Sequence, residues 1–171
     1  MTRWVVVLGM LVGGAAVGTT AGAQLMPPHK VPDNSASAVR ASELATRAAK
    51  AELVGDPADA LKLADAAIKA DPKDPWGYYD RADALAQLNR IDDAEASYRD
   101  AEKHFADQGD SWGRSIAIYG EAHAMAEAGR CEQAQPLYER YAAYVETADA
   151  RAADMARRYA KECVGRPARR Q

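Results

Sequence analysis

Histidine and cysteine are scarce in this chain, with three of the first and two of the second in 171 residues. A metal centre needs three or four converging donors. His29, His104 and His123 are far apart in sequence and form no i, i+4 pair, so no metal site is expected. Cys131 and Cys163 make no Cys-x-x-Cys redox motif. No glycine-rich phosphate loop is present either, and no cofactor is expected. Neither sign of charge dominates, since 22 Lys and Arg face 25 Asp and Glu, which gives no sign of a nucleic-acid partner. The acids lie beside Arg and Lys, a spacing that reads as solvated helix faces. Gly109-Asp110-Ser111-Trp112-Gly113 fits the G-x-S-x-G pattern of a hydrolase nucleophile elbow. That elbow requires a preceding strand, and no convincing strand is visible, so a helix N-cap at Asp110 or Ser111 explains the same residues. No catalytic residue is assigned, and the chain reads as a non-enzyme.

The long apolar run is confined to the N-terminus. Arg3 supplies a positive start, Trp4 to about Gly18 is uncharged and mostly apolar, and Ala21-Gly22-Ala23 offers small residues for cleavage. This is the anatomy of a secretory signal peptide over 1–23, removed after Ala23. The run is broken by Gly9, Gly13 and Gly14 and is short for a membrane span, so no stable membrane insertion is expected after cleavage. Residues 24–37 hold three prolines and read as an extended or disordered leader. After Gly165, residues 166–171 form a basic tail.

Alanine is the commonest residue, and it both favours helix and lets helices approach closely. The rest of the chain repeats one pattern. Aligning Ala60, Ala94 and Ala134 brings Leu44, Tyr78 and Ile118 into one column and Ala48, Ala82 and Ala122 into a second. Ala51, Leu85 and Met125 follow, then a turn column of Gly55, Asn89 and Gly129, then Ala64, Tyr98 and Tyr138, then Ala67, Ala101 and Tyr141. The offset is 34 residues between the first two copies and 40 between the second and third, a period that indicates stacked repeats. The first three columns fall on one helical face, and Gly or Asn in the turn column suits the left-handed residue that ends a helix. Asp56-Pro57 and Asp74-Pro75 signal helix starts. Helices are expected over 38–53, 57–70, 75–88, 91–107, 111–127, 130–145 and 148–163.

These residues resemble the tetratricopeptide repeat family. The resemblance rests on Leu44, Ala48, Gly55, Ala60, Ala67 and Pro72 in the first copy and on Tyr78, Ala82, Ala94, Tyr98 and Ala101 in the second. Ile118, Ala122, Gly129, Ala134 and Tyr138 carry it in the third. Copies two and three lack the closing proline, and Tyr141 stands where a small residue is usual. The resemblance implies an all-α right-handed solenoid over 38–165: three helix-turn-helix repeats at about 41–74, 75–108 and 115–148, plus a capping helix at 148–163.

In that family the first helix of each repeat lines a concave face. The resemblance therefore places Trp76, Tyr79, Asp83 and Gln87 of copy two in a partner-binding groove with Ile116, Tyr119, His123 and Glu127 of copy three. Copy one contributes Ser42, Ala45, Ala49, Glu52 and Leu53. Aromatics beside hydrogen-bonding groups suit a peptide, and the acids favour a basic or neutral one. The alternative is that Trp76 and Tyr79 only shield the neighbouring repeat. Where the family's carboxylate-clamp class carries Lys and Asn, this chain has Ala45 and Ala49, so an acidic C-terminus is not its expected ligand.

Cys131 and Cys163 are equidistant from residue 147, the expected bend between the last two helices, with Thr147 capping the second of them. Facing positions of a helical hairpin in an exported chain favour a disulfide, the alternative being two buried thiols. The functional expectation is a periplasmic or secreted scaffold for a protein or peptide partner in the cell envelope. A structural or self-associating envelope spacer comes next, and a small envelope hydrolase last.

Overall fold

The structure, a computed structural model, describes residues 35–164. The expected signal peptide, most of the leader, His29 and the basic tail lie outside these residues. Seven helices and no strand occur among the described residues: α1 (Ala36–Leu53), α2 (Pro57–Ala70), α3 (Pro75–Gln87), α4 (Ile91–Asp107), α5 (Ser111–Glu127), α6 (Cys131–Val145) and α7 (Ala150–Val164). The fold is the expected all-α helical repeat.

Helix starts follow local chemistry. Asp56 Oδ1 accepts from the Asp59 N–H at 3.0 Å, and Asp110 Oδ1 accepts from the Gly113 N–H at 2.9 Å. Both satisfy donors that a helix N-terminus leaves unpaired. Two boundaries differ from expectation. Ser35 Oγ accepts from the Ala38 N–H, so α1 begins at Ala36 and takes in residues assigned to the leader. The last helix starts at Ala150, not 148, because Asp149 rather than Thr147 caps it, accepting from the Ala152 N–H at 3.0 Å.

The turn column behaves alike in every copy. Gly55, Asn89 and Gly129 have φ of 78°, 59° and 77°. The N–H of the following residue reaches back to the carbonyl of Ala51, Leu85 or Met125 at 2.8–2.9 Å. This six-to-one bond ends the helix and sets the reversal into the next one.

Each helix packs on its successor, and α1 also touches α3, as α3 touches α5. The first helices of the repeats thus form one side of the molecule. Ala48, Ala82 and Ala122 have no solvent access, nor do Ala60, Ala94 and Ala134. Alanine at these crossings brings the backbones close, and a few large rings fill the remaining space. Phe105, Tyr98 and Tyr138 are all buried.

The G-x-S-x-G stretch is explained by this packing. Ser111 opens α5 and is exposed, with α4 before it in place of a strand. A Cβ at Gly113 would lie 2.2 Å from Phe105 Cδ1. Gly113→Ala is therefore expected to cost about 1–3 kcal/mol through overpacking. Ser111→Ala should stay within about 0.5 kcal/mol of wild type. Thermal melts of the two variants check both expectations, and equal stability would contradict the packing argument.

Candidate partner-binding groove

The end of α3 and the facing part of α5 enclose a concavity of about 410 Å³. Asp83, Gln87 and Asn89 line it from one side and His123 and Glu127 from the other, with Tyr98 of α4 and Ile91 also contributing. Four residues assigned to the groove from the sequence, Asp83, Gln87, His123 and Glu127, therefore meet around one space. The size suits one or two side chains of a bound segment.

The other four are placed differently. Trp76 is buried at 6% exposure, so its assignment to the groove surface is corrected. Its indole stands edge-on to Phe105, with ring centres 5.0 Å apart, and belongs to the core with Ala45, Ala67, Ala101 and Ala117. The reason is volume: alanine columns leave a space between repeats that only a large ring fills. Tyr79 is half-buried beneath the groove, edge-on to Tyr98 at 5.9 Å. Tyr119 is half-buried, packs on Tyr141 at 5.1 Å and stacks on His123 at 6.1 Å, whose Nδ1 lies 3.5 Å from the Tyr138 hydroxyl. Ile116 is half-buried and lies outside the lining of the concavity.

Next to this space the structure gathers carboxyl groups that the sequence pattern did not single out. Asp80 of α3 is 1% exposed, and Glu52 of α1 and Asp83 are partly buried beside it. Asp83 Oδ1 accepts from the Tyr98 hydroxyl, and the Tyr79 phenol lies near this carboxylate. Burial pushes the Glu52 carboxyl up to about 9, with the neighbouring Asp83 charge adding to the effect. Burial also raises Asp80 well above the usual carboxylate range, helped by Glu52, Asp83 and Asp74. Asp83 is raised by burial to about 6, held back by the Tyr98 hydroxyl that donates to it and by the nearby Tyr79 phenol. Asp74, raised by burial to about 6, is held back by the Trp76 N–H, which its Oδ1 accepts at 3.2 Å. The reading of all acids as solvated is therefore corrected at Asp80, Asp74 and Glu121, which are buried. Glu121 is met by Arg99 at 3.5 Å, whereas Glu52 Oε1 and Asp80 Oδ2 are buried without a hydrogen-bond partner. Glu52 stood at a groove position of copy one. Asp80 had no sequence signal beyond sitting three residues before Asp83.

These shifts set a pH dependence. A carboxyl raised in the folded state ionises more readily in the unfolded chain, so its contribution to stability is whole below the unfolded value and falls as pH rises. For Glu52 the fall runs from 4.5 to about 9, and for Asp83 and Asp74 from 3.8 to about 6. Asp80→Asn removes one buried ionisable group and keeps its shape. It is expected to raise Tm at pH 8 by roughly 4 °C, on the order of 1 kcal/mol, with a smaller gain at pH 5. A lower Tm than wild type at both pH values would contradict this.

Near-neighbour rings occupy the remaining histidine. His104 stacks on Tyr78 at 4.8 Å. Among the described residues no group of three or more His, Cys, Asp or Glu side chains could hold a metal ion.

Residues 53–114, from the end of α1 to the start of α5, match the family model of the tetratricopeptide repeat. The all-helical fold with adjacent-helix packing is consistent with a solenoid of that class. Comparison with curated proteins yields no match. Repeats of this class suggest a protein–protein interaction scaffold.

Proposed function

We propose that the chain is an exported scaffold, periplasmic or secreted, that holds a segment of a protein partner in the groove between α3 and α5. The carrying observation is the convergence of Asp83 and Gln87 from one repeat with His123 and Glu127 from the next around one concavity. Two repeats sharing one space give a bound segment contacts on both sides, as peptide-recognition grooves require. Export is supported by the charged start, apolar run and small-residue site of the N-terminus. The Cys131–Cys163 disulfide supports it too, because such bonds persist in oxidising compartments.

The test uses the full-length chain expressed in an envelope-bearing bacterial host and tagged at its C-terminus. Mass spectrometry should find the mature N-terminus at Gln24, and a chain retaining residues 1–23 would contradict export. Partner retention by the Gln87→Ala/His123→Ala double variant is expected to fall about tenfold or more relative to wild type, without change in Tm. Both side chains are exposed, so unchanged retention would count against the groove.

A further inference from the structure

We infer that the basic segment 166–171, which follows α7 in the sequence, docks in the concavity between α3 and α5 of its own chain and must be displaced before a partner segment enters. The docking stands on geometry and charge, while its effect on the partner rests on the groove reading above.

Two contacts fix where this segment starts. Cys163, in the last turn of α7, is bonded to Cys131 at the start of α6. Its Sγ also lies 4.0 Å from the Ala126 carbonyl oxygen of α5. The two residues after Ala126, Glu127 and Ala128, line the concavity. The chain therefore leaves α7 beside the rim of that space, and the disulfide fixes the exit point there. The reach is sufficient. Neighbouring helices pack about 8–10 Å apart, so crossing from α7 over α5 to α3 takes roughly 16–20 Å. Residues 165–171, when extended, span about 23–25 Å. Gly165, the first of them, has the widest choice of backbone angles for a change of direction.

Charge selects this occupant. Arg166, Arg169 and Arg170 place three cations and no acid within 166–171. Asp83 and Glu127 stand on opposite sides of the concavity, and no Lys or Arg is among the described residues that line it. Arg90 and Arg130, close to the lining in sequence, pair with Asp93 and Asp92 of α4. The same asymmetry runs through the chain: residues 51–149 carry 10 Lys and Arg against 21 Asp and Glu, whereas 150–171 carry 7 against 2. A short tether raises the effective concentration of the segment to the order of millimolar, so ion pairs that are weak one by one suffice for occupancy. The same segment of a second copy lacks that advantage in dilute solution.

The test uses the full mature chain, disulfide intact, with a photoreactive amino acid in place of Ala168. Irradiation at micromolar protein is expected to give an intramolecular adduct within 83–89 or 123–128, located by peptide mass spectrometry. Arg166→Gln/Arg169→Gln/Arg170→Gln in the same chain should lower the adduct yield about threefold or more and raise partner retention to a similar extent. Adducts confined to α6 and α7, no adduct at all, or an undiminished yield from the neutral variant would overturn the inference. An adduct joining two chains would overturn it as well, by assigning the segment to a second copy. If the adduct forms in the concavity but Gln87→Ala/His123→Ala leaves partner retention unchanged, the groove reading falls and the docked segment stands. If that double variant loses the partner while the neutral variant retains no more than wild type, the groove reading stands and the displacement falls.

Discussion

Trp76→Ala is expected to lower stability by about 3–5 kcal/mol, the largest effect of any single side-chain truncation named for this chain. The indole is 6% exposed and belongs to a cluster containing Ala45 of α1, Ala67 of α2, Ala101 and Phe105 of α4, and Ala117 of α5. It also meets Trp112 at 5.8 Å and Tyr79 at 5.8 Å. Removing it leaves a cavity walled by short alanine side chains and by the rings of Phe105, Trp112 and Tyr79, which lose their common packing partner. The cost is that of a large core ring truncated to a methyl group, lost burial plus the cavity left behind. Urea unfolding followed by circular dichroism checks this, and a loss below about 1 kcal/mol would show that Trp76 is not the filler between repeats.

Loss of the Cys131–Cys163 disulfide is the second large effect. Cys131 opens α6 and Cys163 stands near the end of α7, with Cα atoms 5.3 Å apart and 32 residues of separation. The chain-entropy model gives about 3–4 kcal/mol for a loop of this length, as an upper figure. α7 is the terminal helix and packs on α6, so its opening need not unfold the other repeats. Reduced protein should first lose hydrogen-exchange protection in α7, and Tm should fall by roughly 10 °C. Unchanged α7 protection after reduction would contradict a clamping role.

Much of the fold was legible because repeats report themselves. Gly55, Asn89 and Gly129 occupy one column because one left-handed residue must end each first helix, and all three have positive φ. The alanine columns are fully buried for the same reason in every copy: a Cβ is all that fits at those crossings. The cysteines could be paired from their distance to residue 147, and the bend does lie between Val145 and Ala150. That Asp83, Gln87, His123 and Glu127 share one concavity was legible, because their positions depend only on helical spacing within the repeat.

Trp76 was left open between the groove and a shield for the neighbouring repeat, and Asp80 was not legible, both for one physical cause. Their burial is decided by the neighbouring repeat and not by their own helix. An aromatic on the inner side of α3 is a surface residue if the adjacent repeats leave room, and a core residue if their alanines leave a void. Likewise, an acid two positions from the fully buried Ala82 looks solvated on any wheel drawn from its own sequence. Only the approach of α1 brings Glu52 to it. Helical periodicity states which residues share a face, while packing between helices states which face meets water.

The central claim is that a partner segment lies between α3 and α5, and proximity-dependent crosslinking tests it most directly. A photoreactive amino acid at position 87, on the groove, is compared with one at position 103 on α4, where Lys103 is exposed and outside the concavity. With the chain expressed in the host that supplies its partner, irradiation should yield one discrete adduct from position 87 and none from position 103. The same adduct from position 103, with none from position 87, would place the partner on another surface and contradict the account.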